Sequence, residues 1–324
     1  TPTLAITSDE SDLVAGDTAT ISFTFSEATT NFVDADILVT GGTLGTLNTS
    51  DNITYTATLT PTAEYDGDIS ISVADNSYTD ADGNDGTGNS LTITSSTDTP
   101  TLAITSDESD LVAGDTATIS FTFSEATTDF VDADILVTGG TLGTLSSADN
   151  ITYTATLTPT AEYDGDISIS VADNSYTDAD GNDGTGNSLT ITSSTDTPTL
   201  AITSDESDLV AGDTATISFT FSEATTNFVD ADILVTGGTL GTLSSSDNIT
   251  YTATLTPTAE YDGDISISVA DNSYTDADGN NGTGDSLVVS SSTDTPTLAI
   301  TSDESDLVAG DTATISFTFS EATT

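Results

Sequence analysis

The chain of 324 residues contains no lysine, arginine, histidine, cysteine, methionine or tryptophan. Its 54 Asp and Glu residues have no cationic side chain to pair with, so the formal net charge at pH 7 is −54. Nucleic acid is excluded as a partner because phosphate binding depends on Lys and Arg, and an anionic membrane surface would repel the chain. The absence of cysteine excludes disulfides and thiolate metal sites. Every charge partner must therefore come from solution or from another chain, and a divalent cation is the leading candidate.

The apolar content is nevertheless sufficient for a folded protein. Hydrophobic residues make up 35% of the chain and aromatic residues 6%, whereas chains that are disordered by charge are depleted in apolar residues. No apolar run approaches the roughly 20 residues of a membrane-spanning helix, and no signal peptide is recognisable. Because methionine is absent, we expect the sequence to be a segment of a longer protein. A strongly acidic surface suits a salty extracellular environment, in which the Debye length is about 8 Å or less.

The sequence repeats itself with a period of 98 residues. The opening hexapeptide TPTLAI returns at Thr99, Thr197 and Thr295, and only nine positions differ among the three complete copies. Self-similarity at a fixed period indicates a modular array, and a unit of this size matches one small β-sandwich. The sequence therefore predicts three complete repeats and one partial repeat, at residues 1–98, 99–196, 197–294 and 295–324.

Within each repeat, apolar residues alternate with Thr and Ser, which is typical of strands with one buried face. The clearest case lies between Ala19 and Phe25, where every second residue is apolar. In the first repeat the predicted strands are A at 4–6, B at 18–25, C at 36–40, D at 44–47, E at 53–61, F at 69–73 and G at 91–93. Seven strands separated by turn residues predict an all-β fold, a tandem array of immunoglobulin-like Greek-key β-sandwiches. Tyr65 is either a corner tyrosine whose hydroxyl bonds nearby backbone or a plain aromatic residue at the rim.

Several motifs resemble those of the bacterial Ig-like repeats in giant surface adhesins. They are LVAGDT at 13–18, FTFSE at 23–27, VTGGTL at 39–44, YTATLTPT at 55–62 and YTDADGN at 78–84. The similarity is greatest to the calcium-dependent extender repeats of RTX-type adhesins, among them an ice-binding adhesin of a marine bacterium, and it covers the whole chain. It implies immunoglobulin-like repeats that bind Ca²⁺ on the surface of a bacterium from a marine or other salt-exposed habitat.

The topology of such a sandwich places acidic residues at both ends of each repeat. The A–B, C–D and E–F turns lie at the C-terminal pole, beside the linker, and the B–C, D–E and F–G loops lie at the N-terminal pole. Two acidic poles therefore meet across each linker, the first at residues 95–100, and would repel one another without a cation. Because Ca²⁺ takes 6–8 oxygen ligands, we predict bridging calcium at the junctions. The predicted ligands are Asp66, Asp68, Asp98, Asp132, Asp134, Asp164, Asp166, Asp173, Asp178, Asp180, Asp196, Asp262, Asp264, Asp271, Asp276, Asp278 and Asp294.

Turn chemistry offers a simpler interpretation of the same residues, because Asp and Asn side chains bond local backbone in turns. The segment DADGNDG at 80–86 resembles an EF-hand loop, but glycine is not at its sixth position and no Glu stands at the twelfth. Asp85 is replaced by Asn281 in the third repeat, which weakens it as a charged ligand. For the segment SDESD at 8–12 we favour a solvated break in strand A over a metal site.

No catalytic site is expected. Paired carboxylates such as Asp34 and Asp36 serve glycoside cleavage in other proteins, but this chain lacks Trp for a sugar platform, a cation for an oxyanion, and His and Cys for zinc. We expect a structural extender of a cell-surface adhesin, a calcium-stiffened rod that projects a distal binding domain. The alternatives are a subunit of an extracellular filament or surface layer assembled by strand exchange, and a calcium-dependent glycan-binding module.

The last 30 residues supply only strands A and B, so Ile315, Phe317 and Phe319 have no complete sandwich to enter. We favour an arbitrary truncation within a repeat. The alternatives are pairing with strands of another chain and a permuted register, with repeats at 31–128, 129–226 and 227–324. The other expected partners are the neighbouring identical repeats of the same chain.

Overall fold

The structure is a computed structural model and describes residues 1–322. It consists of β-strands joined by turns, with three single-turn 3-10 helices at Asp34–Asp36, Asp132–Asp134 and Asp230–Asp232. None of the described residues belongs to a helix that is long and apolar enough to cross a membrane.

The strands recur in the same order in every complete repeat. Repeat 1 contains β1 (Leu4–Ser8), β2 (Asp12–Leu13), β3 (Ala19–Phe25), β4 (Ile37–Thr40), β5 (Gly42–Leu44), β6 (Asn48–Thr49), β7 (Thr54–Pro61), β8 (Ile69–Val73) and β9 (Asn89–Ser95). Repeat 2 contains β10 (Leu102–Ser106), β11 (Asp110–Val112), β12 (Ala117–Phe123), β13 (Ile135–Thr138), β14 (Gly140–Leu142), β15 (Ser146–Ser147), β16 (Thr152–Pro159), β17 (Ile167–Val171) and β18 (Asn187–Ser194). Repeat 3 contains β19 (Leu200–Ser204), β20 (Asp208–Val210), β21 (Ala215–Phe221), β22 (Ile233–Thr236), β23 (Gly238–Leu240), β24 (Ser244–Ser245), β25 (Thr250–Pro257), β26 (Ile265–Val269) and β27 (Asp285–Ser292). The partial repeat contains β28 (Leu298–Ser302) and β29 (Ile315–Phe319).

Each complete repeat is a sandwich of two sheets. In repeat 1 the first sheet has the order β1-β3-β7-β5, with β6 also paired to β7, and the second has the order β2-β9-β8-β4. All these pairs are antiparallel except that of β2 with β9, which is parallel. The sheets correspond to strands A, B, E and D packed on A′, G, F and C, so the predicted all-β immunoglobulin-like sandwich is confirmed.

The predicted break at residues 8–12 is the place where the chain changes sheets. Strand β1 ends at Ser8, and after three residues the chain continues as β2 in the opposite sheet. The Asp9 carboxylate accepts a hydrogen bond of 2.6 Å from the backbone N–H of Thr20, and the hydroxyl of Ser8 accepts one of 3.2 Å from Glu10 N–H. The acidic segment is therefore a solvated crossover closed by its own side chains, as the strand-break interpretation predicted.

Two predicted strand boundaries differ from the structure. Asp36 belongs to a 3-10 turn and strand C begins at Ile37, because the Asp36 carboxylate accepts a hydrogen bond of 2.8 Å from Val33 N–H and closes that turn. Strand D begins earlier than predicted, at Gly42, and a separate short strand, β6, follows it. The φ of +81° at Gly41 lets the chain turn between the two sheets at this point.

The core of each repeat contains a cluster of edge-to-face aromatic rings. In repeat 1, the ring of Phe25 lies 4.8 Å from that of Phe32 and 4.7 Å from that of Tyr78, measured between centroids. Tyr55 also contacts both phenylalanine rings. Phe32 and Tyr78 lie outside the strands, so the loops at the N-terminal pole contribute to the core together with the alternating strand residues.

Two tyrosine hydroxyls fix loops to backbone. The Tyr78 hydroxyl lies 2.7 Å from the carbonyl oxygen of Thr87 and 3.3 Å from that of Pro2, so it ties the F–G loop to the start of the repeat. The Tyr65 hydroxyl donates to the carbonyl oxygen of Asp68 at 3.1 Å. This bond supports the corner-tyrosine interpretation of Tyr65 over that of a plain rim residue.

The partial repeat forms a two-stranded antiparallel sheet of β28 and β29. Its apolar side chains are exposed, with Phe317 60% and Ile300 60% accessible to solvent. The expectation that Ile315, Phe317 and Phe319 remain unburied within this chain is confirmed. Pairing of this hairpin with another chain stays a prediction.

The chain divides into two compact units. The first consists of Thr1–Leu111, Asp115–Thr160 and Gly165–Ser193, and the second of Val112–Gly114, Ala161–Asp164 and the chain from Ser194 onwards. Contacts of repeat 1 with repeat 2 therefore lie within the first unit. The contacts of repeat 3 with the C-terminal pole of repeat 2 lie within the second.

Candidate functional site: the junctions between repeats

The loops are distributed between two poles as the topology predicts. In repeat 1 the backbone N–H of Thr29 donates to Asn52 O at 2.9 Å, and that of Thr30 donates to Thr79 O at 3.1 Å. These bonds hold the B–C, D–E and F–G loops together at the N-terminal pole. At the opposite pole, the first residue after β7 bonds the C–D turn.

The linker after strand β9 is fixed to the C-terminal pole. Thr97 is 2% exposed, and its hydroxyl oxygen lies 2.8 Å from Thr62 O and 2.9 Å from the N–H of Tyr65, from which it accepts. The Thr99 hydroxyl donates to the Glu64 carboxylate at 2.7 Å. The segment predicted as a linker, 95–100, is therefore held by hydrogen bonds to the E–F turn.

Besides the bonds of Thr99 to Glu64, two hydrogen bonds join the body of repeat 2 to repeat 1. The backbone N–H of Ala15, in the turn before β3, donates to the side-chain oxygen of Asn182 at 2.7 Å. The hydroxyl of Ser96 donates to the Asp180 carboxylate at 2.9 Å. Asn182 and Asp180 both lie in the F–G loop of repeat 2, so this loop contacts the C-terminal pole of repeat 1.

The same pair of bonds recurs in the second compact unit. Ala113 N–H donates to the side-chain oxygen of Asn280 at 2.7 Å, and the Ser194 hydroxyl donates to the Asp278 carboxylate at 3.0 Å. Val210, at the end of β20 in repeat 3, is 51% exposed, whereas its counterparts Val14 and Val112 in repeats 1 and 2 are half-buried. The contact is therefore a repeated feature of the array.

An acidic cluster lies beside these bonds at the first junction. The Glu125 carboxyl is half-buried, and its pKa is raised by burial and then by the negative charges of Asp178, Asp98, Asp180 and Asp66. Two of these aspartates belong to repeat 1 and two to repeat 2. The carboxylates of both poles therefore act on one another across the junction, as predicted from the topology.

The second compact unit contains the equivalent cluster. The pKa of Glu223 is raised by burial and then by the charges of Asp276, Asp196, Asp278 and Asp164. Eight of the predicted ligands, four at each junction, thus contribute by their charge to the raised pKa of Glu125 or Glu223.

Several other predicted ligands bond the backbone of their own repeat. The Asp132 carboxylate accepts from Leu145 N–H at 2.9 Å, and that of Asp134 accepts from Val131 N–H at 2.8 Å. Asp173 and Asp271 each accept a hydrogen bond of 2.7 Å from a glycine N–H, at Gly186 and Gly284. These interactions are the turn chemistry that the simpler interpretation predicts.

The remaining predicted ligands lie at C-terminal poles. Asp68 and Asp264 accept the hydroxyl of a nearby tyrosine through their backbone oxygens, and Asp262 forms a β-bridge with Ser292. Asp166 occupies the position of Asp68 in repeat 2, and Asp294 is exposed in the linker after repeat 3.

The F–G loop is organised by one buried aspartate and not by the geometry of an EF-hand. The Asp178 carboxylate accepts hydrogen bonds from the backbone N–H groups of Asp180, Gly181 and Asn182, at 2.7–2.9 Å, and from the Asn182 amide at 2.8 Å. Asp178 is 2% exposed. Its negative charge is thus stabilised by four donors of its own loop.

Within residues 1–322, no three carboxylates are positioned as a ready-made metal site. The donor chemistry nevertheless fits a hard divalent cation, because carboxylate oxygens are the ligands that Ca²⁺ prefers. Crowding of negative charge around Glu125 also favours a cation there. The predicted ligand assignments therefore stay predictions.

The sequence does not identify three residues of the junction, Glu125, Asn182 and Ser96. Glu125 follows strand B and has no neighbouring carboxylate in the sequence, although its position in the B–C loop places it at the junction pole. Asn182 resembles an ordinary turn residue, and Ser96 an ordinary linker residue. Their contacts join positions 84 or 167 residues apart, a separation that no local pattern reveals.

Comparison with protein-family models supports the fold. A model of the bacterial Ig-like domain family matches residues 1–96, 96–195 and 194–293. FdeC, an adhesin of Escherichia coli, aligns with a TM-score of 0.35 and 15% identity over 90% of this chain and 96% of its own. Invasin, a bacterial integrin-binding protein, aligns with a TM-score of 0.34 and 16% identity over 99% of this chain and 67% of its own. InvE, an adhesin of Yersinia pseudotuberculosis, gives a TM-score of 0.27 and 16% identity over 79% and 74%.

Comparison with curated proteins gives no significant match. The three segments that the family model matches together cover nearly the whole chain, and each of them contains both sheets of one sandwich. On this evidence the chain belongs to the bacterial Ig-like domain family.

Proposed function

We propose that this chain is part of the extender region of a bacterial cell-surface adhesin, in which tandem sandwiches project a distal binding domain away from the cell. The observation that carries the proposal is the recurrence of the same inter-repeat hydrogen bonds at two successive junctions. Units that differ at only nine positions add length without adding a new surface. A spacer requires such uniformity, whereas a ligand-binding domain normally differs from its neighbours.

Calcium strengthens the junctions in this proposal. The residues that would hold the ion at the first junction are Glu125 and Asp180 of repeat 2 with Asp66 and Asp98 of repeat 1. The support is that burial, and then the charges of four aspartates, raise the pKa of Glu125, and that the chain has no Lys, Arg or His to offset those charges. Bound calcium supplies positive charge and oxygen coordination at a place where the protein supplies only negative charge.

The expected affinity is modest. Extracellular calcium modules bind with dissociation constants of about 10⁻⁴–10⁻³ M. At a free calcium concentration of about 100 times the dissociation constant, one site stabilises the bound state by roughly 2.7 kcal/mol. Because the carboxylates are not already gathered into a ligand shell, part of the binding free energy is used to rearrange them.

The test is small-angle X-ray scattering of the whole chain in calcium, in magnesium and in EDTA. We expect the maximum dimension to increase in calcium as the junctions straighten, and the melting temperature to rise. The double variant E125Q/D180N should weaken the calcium response of the first junction. The matched control E27Q/D82N changes the same positions of repeat 1, whose N-terminal pole faces no other repeat within residues 1–322, and should respond as the unmodified chain does. A maximum dimension unaffected by calcium would contradict the calcium part of the proposal.

A further inference from the structure

Asn182 makes its two side-chain interactions with different repeats. Its amide N–H₂ donates to the Asp178 carboxylate at 2.8 Å, within its own loop. Its side-chain oxygen accepts from Ala15 N–H of the preceding repeat at 2.7 Å. The residue is 1% exposed. An ionised carboxylate only accepts hydrogen bonds, so Asp178 determines which end of the amide faces Ala15.

The F–G loop of repeat 1 shows the conformation of the equivalent asparagine where, within residues 1–322, no other repeat packs on the loop. There, Asn84 is exposed, yet its amide N–H₂ still donates to the Asp80 carboxylate at 2.8 Å. The Asp80 carboxylate also accepts from Asn84 N–H at 2.8 Å. The oxygen of Asn84 therefore points away from Asp80, as that of Asn182 points away from Asp178, although no other repeat packs on this loop within residues 1–322. A group held in its bound orientation loses little conformational entropy on binding.

The hydrogen bond between Ala15 and Asn182 is also an uncharged contact within a highly charged surface. Glu125 and the four aspartates around it repel one another, and Ser96 donates to one of those charged groups. In contrast, the bond from Ala15 to Asn182 joins an uncharged donor to an uncharged acceptor. Its strength does not depend on a cation, whereas the repulsion beside it depends on cations and salt.

We propose that Asn182 and Asn280 are positioning residues that lock each repeat onto its predecessor without a cation, and that Asp178 and Asp276 orient these amides. The F–G loop of every complete repeat holds the side-chain oxygen of this asparagine in its bound orientation. The donor to that oxygen is the backbone N–H that follows the short A′ strand of the preceding repeat. The inference rests on the proposed spacer function for its biological purpose. The asparagine contact and the calcium effect are independent proposals, so an experiment can reject one of them without rejecting the other.

The experiment measures the distance between repeats 1 and 2 by pulsed electron spin resonance on the full chain. Because the chain contains no cysteine, the substitutions Thr43→Cys and Thr141→Cys, at equivalent exposed positions, give two specific labelling sites. In EDTA, N182A should broaden the distance distribution, with a roughly fivefold fall in the ratio of docked to undocked junctions, the size expected for one buried hydrogen bond. N84A should leave the distribution unchanged.

The N84A control separates an effect on the junction from an effect on the F–G loop itself. Both substitutions remove the same bond to an aspartate of the F–G loop, so damage to the loop itself appears in both variants and in the melting temperature of each. Equal distributions for N182A and N84A would overturn the lock. Broadening by N182A together with no calcium effect in the unmodified chain would keep the lock and reject the calcium proposal.

A second variant distinguishes orientation from metal ligation. One Asp178 oxygen accepts three backbone N–H groups and the other accepts the Asn182 amide. In D178N an N–H₂ group replaces one of these oxygens and the Asn182 amide loses its acceptor. Both D178N and D178A should therefore broaden the distance distribution in EDTA, where no metal ion is bound. If both variants leave the distribution in EDTA as narrow as that of the unmodified chain, Asp178 does not orient Asn182 and its positioning role is rejected. D80A, the matched substitution in repeat 1, should not affect the distance between the labels.

Discussion

The hairpin of β1 and β3 and the hairpin of β28 and β29 have the same sequence but different surroundings. Their registers agree, with Leu4 opposite Phe25 in the first and Leu298 opposite Phe319 in the second. In repeat 1 the strands that follow cover the apolar face of the hairpin, whereas in the partial repeat that face is exposed. Pairing and register are thus local properties of the sequence, but burial requires strands C to G.

Strand A′ depends on those later strands as well. In complete repeats, A′ exists as the partner of strand G, as β2 is of β9. In the partial repeat, residues 306–307 have the same sequence as β2 but are not in a strand. An isolated hairpin is marginally stable in water, so most of the free energy of folding must come from closing the sandwich. Three substitutions test this comparison.

The largest expected effect comes from the buried phenylalanine of strand B. Phe121 is 0% exposed and its counterpart Phe317 is 60% exposed. F121A should lower the free energy of unfolding of repeat 2 by about 3–5 kcal/mol, because it removes buried apolar surface and leaves a cavity. F317A should change the unfolding of the complete repeats by less than about 0.5 kcal/mol. Urea denaturation followed by circular dichroism measures both; similar losses would show that the hairpin is buried in solution.

An intermediate effect is expected for the aspartate that follows strand A, which is Asp107 in repeat 2 and Asp303 in the partial repeat. The Asp107 carboxylate accepts from Thr118 N–H at 2.6 Å, and that of Asp303 accepts from Thr314 N–H at 2.7 Å. The hydrogen bonds from Thr118 hold the pKa of Asp107 below its usual value of 3.8. The ionised form therefore stabilises repeat 2 above that pH, and this contribution is lost as the pH falls through the lowered folded pKa.

D107N should accordingly reduce the melting temperature of repeat 2 at pH 7, and the difference from the unmodified chain should shrink below pH 3.8. D303N makes the same change in a hairpin that closes no sandwich and should leave the transitions of the complete repeats unaltered. A difference that stays constant from pH 7 to pH 3 would show that the charge of Asp107 does not contribute.

The smallest expected effect concerns Glu125, because solvent and salt partly screen the charge of a half-buried side chain. Its pKa is raised above the usual 4.5 by burial and by four carboxylates. The ionised form therefore destabilises the folded junction, and stability should rise as the pH falls from above the raised pKa towards 4.5. E125Q should remove this part of the pH dependence of the melting temperature, measured in EDTA. E27Q, at the exposed equivalent position, should retain it, and identical pH profiles for the two variants would contradict the assignment.

Much of the fold follows from the sequence because strand patterns are local. Alternation from Ala19 to Phe25 and the repeat period predict the sandwich and its poles. The core positions of Phe32 and Tyr78 lie in loops, where no period exists to reveal them. The strand change after Ser8 depends on pairing with residues more than 80 positions away, so the sequence shows only a break.

The junction is less predictable from the sequence than the fold is. Its acidity follows from counting carboxylates at each pole, and the charges of eight of the predicted aspartates raise the pKa of Glu125 or Glu223. The neutral contacts do not follow, because Asn182 differs from any turn asparagine only in what the preceding repeat presents to it. Ligand geometry is equally inaccessible, since coordination depends on side-chain positions that sequence spacing does not determine.

The parallel pairing of β2 with β9 determines how a repeat carries force. Tension on the two ends of the chain draws β9 towards the C-terminal pole and β2 towards the N-terminal pole. The hydrogen bonds from Thr94 N–H to Ser11 O and from Ser96 N–H to Leu13 O lie across that direction. They are therefore loaded in shear and share the load, instead of opening one after another. Under tension, this geometry places the mechanical resistance of a sandwich at the seam between its A′ and G strands.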